Sequence, residues 1–156
     1  MSYYYVIFTD NSLEKMLEKH PEYPGTWMYG RQDGTPRIMI SEGDHWGADP
    51  NGADELHLTE HYYSVGCNWA HINVILRLAD DYLERTGGKI YVIKLSLSED
   101  YIFEKKQYMA TGITEKIETL DLKNVSETLH EGTFEQVIQL HPYVIYKVVN
   151  SGYERK

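Results

Sequence analysis

The chain has 156 residues, 42% hydrophobic and 25% charged, which predicts one globular domain over residues 1–156 and excludes a disordered protein. The formal net charge of -9 argues against nucleic acid as a general ligand, because phosphate contacts require clustered Lys and Arg. The single cysteine, Cys67, excludes an internal disulfide. Since no signal peptide or membrane-spanning run is visible, we expect a cytoplasmic protein that does not contact a membrane.

The chain opens with a predicted strand and a predicted helix. Residues 3–8 form an apolar, β-prone run, which is typical of a buried strand. Asn11 followed by Glu14 fits a capping box, so a helix is expected to begin there. It should end at His20-Pro21, because the residue before a proline disfavours helix.

A segment rich in turn residues follows over residues 22–54. Within it, residues 37–41 favour a short strand, and Asp33-Gly34 could close a hairpin between Met28-Tyr29 and Arg37-Ile38. Long irregular segments in compact domains are often binding loops. We therefore expect a binding surface here, carried by Trp27, Tyr29, Arg31, Arg37, Asp44, His45 and Trp46.

The centre of the chain predicts a strand, a long helix and a second strand. The strand is expected over residues 55–59, and the helix over residues 64–85, where an apolar stripe recurs at helical spacing. Gly87-Gly88 gives the helix a left-handed stop. Residues 89–97 then favour a strand.

The last third predicts four short strands, over residues 107–112, 117–122, 136–140 and 143–149. The whole order favours an α+β fold, in which one central long helix packs on a twisted, mainly antiparallel sheet.

One cluster of side chains is competent to bind zinc. His57, His61, Cys67 and His71 stand within one short stretch, and this spacing permits chelation if Cys67 and His71 share a helix face. The alternative is a set of surface histidines beside a small buried thiol, which we favour because no complete zinc motif is present.

Several segments form one pattern: a strand ending in Thr, a helix with a Trp-Ala turn, a Gly-rich return to a strand, and a closing hairpin, in residues 55–59, 62–64, 67–70, 90–95, 132–140 and 142–148. This pattern resembles the ADP-ribosyltransferase family. It covers most of the chain in pattern but little in identity. Two positions depart from the family: residues 3–8 lack the Arg or His of its first strand, and Gln136 stands directly before Val137.

The resemblance implies a site for NAD. By analogy Thr59 and Ser64 lie near the nicotinamide ribose, and Tyr62 or Tyr63 stacks on nicotinamide. Glu135 is the implied catalytic residue, holding the ribose hydroxyl and stabilising the positive charge that develops as nicotinamide leaves.

Two functions follow as expectations. The first is an ADP-ribosyltransferase-like domain that binds NAD and transfers ADP-ribose to a macromolecule, with protein as the favoured acceptor. The second is a small acidic protein without enzymatic activity that binds and inhibits a protein partner. Its anchors would be aromatic and Arg side chains of the turn-rich segment, namely Trp27, Tyr29, Arg31 and Trp46.

Overall fold

A computed structural model describes residues 3–30, 37–42, 58–65, 71–96, 117–132, 135–142 and 144–153. These residues form an α+β fold with one eight-stranded mixed sheet and two α-helices. The strands are β1 (Tyr3–Thr9), β2 (Glu18–Lys19), β3 (Thr26–Gly30), β4 (Arg37–Glu42), β5 (His61–Val65), β6 (Ile90–Ser96), β7 (Glu118–Asp121) and β8 (Ile145–Val149). The α-helices are α1 (His71–Thr86) and α2 (Ser126–Glu131), and short 3-10 turns occupy Glu14–Met16 and Ser151–Tyr153.

Strand β1 lies at the centre of the sheet, whose order is β2-β3-β4-β5-β1-β6-β8-β7. It pairs antiparallel with both β5 and β6. In the part of the chain that the structure describes, β7 with β8 is the one parallel pair. A central strand covered on both faces needs apolar side chains at successive positions, which explains the continuous run predicted as a buried strand.

The sheet has two faces with separate apolar clusters. On the helix face, Ile7 of β1 packs with Ile75 and Leu76 of α1, and all three are fully buried. On the opposite face, Val6 and Phe8 pack with Ile93 and Ile145. Alternation along each strand sends neighbouring side chains to different faces, so this division decides which residues can share a site.

Helix α1 confirms the predicted apolar stripe from Ile72 onward and the predicted stop, but its predicted start is wrong. Ser64 and Val65 lie in β5, where they pair with Val6 and Tyr5, and the described helix begins at His71. Aromatic and β-branched residues at 62–65 suit a strand once two neighbouring strands are available. Gly87 ends the helix at φ +64°, and its N–H donates to the Leu83 carbonyl at 2.9 Å.

Two of the other predicted elements are wrong and two are confirmed. The predicted helix after β1 is wrong: only the 3-10 turn Glu14–Met16 forms before β2. The predicted strand at 136–140 is also wrong, since these residues are irregular, while β7 and β8 confirm the strands expected at 117–122 and 143–149. The strand expected at 55–59 is not found at 58–59. Residues 107–112 lie outside the described residues.

The expected hairpin pairing of β3 with β4 is confirmed. Tyr29 pairs with Ile38 and Gly30 with Arg37, so the two strands run antiparallel. The predicted turn at Asp33-Gly34 lies outside the described residues. Helix α2 and strand β2 were not predicted, and α2 packs against α1 through the buried Leu129.

Candidate functional site

The residues implied for NAD binding lie on and before β5, on both faces of the sheet. Tyr62 stacks on Phe8 at 6.1 Å between ring centroids, with an interplanar angle of 26°, on the face opposite α1. Ser64, two residues on, shares that face by alternation and is buried. Thr59 precedes the strand, and its hydroxyl donates to the His61 carbonyl at 2.9 Å.

Tyr63 is part of the core on the helix face. It is 1% exposed, and its hydroxyl oxygen accepts a hydrogen bond from the Leu13 backbone N–H at 2.9 Å. The hydroxyl therefore holds the chain that follows β1. Of the two tyrosines offered for stacking on nicotinamide, only Tyr62 keeps a partly exposed ring.

Glu135 lies beside the first turns of α1. Asn73 anchors this segment: its Nδ2 donates to the Glu135 carbonyl at 2.6 Å, and its Oδ1 accepts from the Val137 N–H at 3.1 Å. The Glu135 side chain is exposed. Neighbouring Val137 and Ile138 pack against the cluster on the helix face.

Thr59 and Glu135 lie toward opposite ends of α1. The last turns of α1 meet the end of β1, where the Tyr82 hydroxyl accepts from the Asn11 N–H at 3.0 Å. At that end Thr9 pairs with His61, close to Thr59. Asn73 precedes Tyr82 by nine residues, which is about 14 Å along a helix. The structure therefore does not bring Thr59 and Glu135 together, whereas Tyr62 and Ser64 lie on β5 and Thr59 lies just before it.

The zinc prediction falls largely outside the described residues. His57 and Cys67 are not described; His61 begins β5 and His71 begins α1. Among the described residues, no three His, Cys, Asp or Glu side chains converge as a metal site.

The two described aromatic anchors of the turn-rich segment make contacts within the protein. Lys19 Nζ lies 5.6 Å from the Trp27 ring centroid, and the Tyr29 hydroxyl donates to Asp81. Both rings are half-buried and pack against the cluster on the helix face. Arg31, Asp44, His45 and Trp46 lie outside the described residues.

The structure reveals a polar cluster that sequence reasoning missed, centred on Asp80 of α1. This carboxylate is fully buried. It accepts hydrogen bonds from Ser126 Oγ at 2.7 Å, Asn150 Nδ2 at 2.8 Å and the Tyr153 hydroxyl at 2.9 Å. His130 Nε2 of α2 lies 2.7 Å from Asp80 Oδ2. In the sequence, the only indication of this cluster was an acidic residue next to the apolar stripe of α1. Such a residue is equally typical of a solvated helix face.

Burial and hydrogen bonding act in opposite directions on Asp80. Burial by itself raises the pKa of a carboxyl group, because it penalises the charged form. The hydrogen bonds from Ser126, Asn150, His130 and Tyr153 outweigh burial and leave the pKa of Asp80 below its usual value. The carboxylate therefore stays ionised and holds the His130 ring in place.

A groove of 440 Å³ lies in front of His130, between β3 and α1; we call it the β3–α1 groove. Its walls are Lys15, Met16, Leu17, Glu18, Met28, Tyr29, Gly30, Arg37, Arg77, Asp81 and His130. Arg77 lies with its guanidinium 5.5 Å from the Tyr29 ring centroid. Burial, followed by the hydrogen bond to Asp81, raises the pKa of Tyr29 well above its usual value, so this hydroxyl keeps its proton.

Comparisons with protein-family models, with curated proteins and with solved structures find no match to this chain. Neither α-helix of the described ranges is long and apolar enough to cross a membrane.

Proposed function

We propose that the protein is an ADP-ribosyltransferase-like domain, which binds NAD and transfers ADP-ribose to a protein acceptor. The observation that carries the proposal is the placement of Tyr62. Its ring lies against Phe8 on the face of the sheet opposite α1, and Ser64 follows on the same face. A planar nicotinamide ring can stack on such a half-exposed aromatic surface, with polar groups of Ser64 and Thr59 beside it.

Glu135 is the proposed catalytic carboxylate. A carboxylate stabilises the positive charge that develops on the ribose as nicotinamide leaves, and the side chain of Glu135 is exposed. Because its segment lies on the helix face, toward the other end of α1 from Thr59, Glu135 can act in this role only after a movement that brings it to the nicotinamide ribose. Binding and transfer therefore need separate tests.

Binding is tested by thermal unfolding with and without NAD. We expect NAD to raise the melting temperature of the wild-type protein, and Tyr62→Leu to remove that shift. The matched control is Tyr23→Leu, which changes an exposed tyrosine near the β2–β3 edge and should leave the shift intact. No shift at millimolar NAD would reject the proposal.

Transfer is tested by release of nicotinamide. Glu135→Ala should abolish release while leaving the melting temperature nearly unchanged, because the side chain is exposed. Glu127→Ala alters another exposed glutamate and should have no effect on release. Stabilisation by NAD without nicotinamide release in the wild type would contradict the transfer activity and leave a domain that only binds NAD.

A further inference from the structure

Three cationic side chains line the β3–α1 groove, on a chain whose formal net charge is -9. Lys15, Arg37 and Arg77 line it, together with the His130 imidazole. The groove also holds two carboxylates, Glu18 and Asp81. Glu18 pairs with Arg37 at 2.6 Å, and Asp81 accepts a hydrogen bond from Tyr29. Three cationic side chains and an imidazole on one concave surface can attract an anionic ligand there.

We propose that this groove binds a small phosphomonoester, with the phosphate held by Arg37, Arg77, Lys15 and His130. Guanidinium groups match the oxygen geometry of a phosphate and can bind it in a bidentate manner. Several cations around one groove suit the double negative charge of a phosphomonoester better than the single charge of a carboxylate.

Two of the four phosphate ligands are held in position before any ligand arrives. Arg77 is 4% exposed and lies over the Tyr29 ring. His130 is held by the buried Asp80. Side chains that are already ordered lose little conformational entropy on binding, so their interactions contribute more to affinity.

Arg37 can change partner. Its present partner, Glu18, has a side chain that is 58% exposed, so it can turn into solvent when a stronger anion arrives. The Arg37 Nε is buried and has no hydrogen-bond partner among the described residues, so a shift of this side chain toward a ligand breaks no hydrogen bond at Nε.

The remaining walls suit the organic part of the ligand. Met16, Leu17 and Met28 add apolar surface to its walls. A volume of 440 Å³ lies within the range of small-molecule sites. The groove thus accommodates a compact ester with an apolar or aromatic group.

This site is independent of the one proposed for NAD. Tyr29 packs against the cluster on the helix face, whereas Tyr62 packs on the opposite face. Loss of either site by mutation should leave the other intact.

The test is a titration of the whole chain with AMP, inorganic phosphate and adenosine, followed by calorimetry and by the NMR signal of the His130 ring. We expect AMP and phosphate to bind saturably and to shift the His130 signal, while adenosine does neither. Arg37→Gln should weaken AMP binding about tenfold, and Lys15→Gln less. Glu18→Gln should tighten it several-fold, because Arg37 then loses its competing carboxylate.

Lys147→Gln is the matched control, because Lys147 lines a separate cavity of 530 Å³ beside the end of α1. It should leave AMP binding unchanged. Three results would overturn the proposal: no saturable binding at about 10 mM AMP, binding of phosphate without AMP, or equal effects of Arg37→Gln and Lys147→Gln. Tyr62→Leu should not alter AMP binding, so failure of this proposal is distinguishable from failure of the NAD proposal.

Discussion

Asp80 shows how one buried carboxylate can join three separated parts of the chain. It lies on α1 and accepts hydrogen bonds from α2 and from residues that follow β8. A buried charge is costly unless its hydrogen-bonding capacity is used, and here the four partners use it. We therefore expect Asp80 to stabilise the packing of α2 and of the C-terminal residues on α1.

Asp80→Asn tests this stabilising role by replacing only the carboxylate with an amide. The amide has the shape of the carboxylate but no charge. Its NH₂ group would face side chains that donate hydrogen bonds to Asp80, so those bonds would be lost. We expect the free energy of unfolding to fall by about 2–4 kcal/mol. Ser126→Ala, which removes one partner, should cost about 1.5 kcal/mol. Urea denaturation measures both, and a loss for Asp80→Asn no larger than for Ser126→Ala would contradict this account.

The lowered pKa of Asp80 predicts a pH dependence with a definite sign. A carboxyl group whose folded pKa lies below its unfolded value stabilises the fold above the unfolded pKa, and this stabilisation is lost as the pH falls through the folded pKa. The stability gap between wild type and Asp80→Asn should therefore be constant near neutral pH and shrink below about pH 4. Denaturation curves from neutral to acid pH check this, and a gap that persists in acid would oppose it.

At the scale of elements, the end of α1 is tied to two strands at once. Asp10, after β1, accepts hydrogen bonds from the Tyr82 hydroxyl and from the Lys89 N–H, the latter at 2.9 Å. Gly88 lies inside this junction: a Cβ there would be 2.5 Å from Asp10 Oδ1 and 2.7 Å from the Tyr82 hydroxyl. The adjoining Gly87 is open, with no atom within 4 Å of a Cβ.

Gly88→Ala should therefore lower the free energy of unfolding by about 1–3 kcal/mol, because the new methyl group displaces hydrogen-bonded atoms. The control is Gly87→Asn at the left-handed position, where Asn is tolerated and the change should be small. Thermal unfolding compares the two variants. Equal stability of the two would show that the junction can shift without cost.

At the scale of the whole molecule, the net charge of -9 opposes compaction through self-repulsion. Sodium chloride screens that repulsion, so the melting temperature at pH 7 should rise as salt is added. The rise should vanish near the sequence pI of about 5.2, where net charge is close to zero. Melting curves at both pH values test this, and an equal salt effect at pH 7 and at the pI would exclude net charge as the cause.

Sequence reasoning succeeded where local pattern and tertiary context agree. The strand β1 could be predicted because burial on both faces selects a continuous apolar run. The end of α1 could be predicted because a left-handed backbone selects glycine. Sequence reasoning failed at residues 64–65, which were assigned to the helix although they complete the ladder with β1 and β4. Strand pairing depends on distant partners, so no local pattern could decide it.

The β5 tyrosines and the Asp80 cluster also differ in how much of their arrangement the sequence could predict. Placement of Tyr62 and Tyr63 on opposite faces follows from strand alternation, which the sequence could reveal only once β5 was known to be a strand. The Asp80 cluster could not be inferred, because its partners stand 46 to 73 residues away along the chain.

By itself the sequence determined the α+β class, the central buried strand, the apolar stripe of α1 and its end, since these depend on side-chain periodicity and on glycine. Only the tertiary structure decided where β5 ends and α1 begins, which face each tyrosine occupies, that Asp80 holds His130, and that His130 and Arg77 line one groove. The physical reason is that hydrogen bonds and charges act between groups close in space, whatever their separation along the chain.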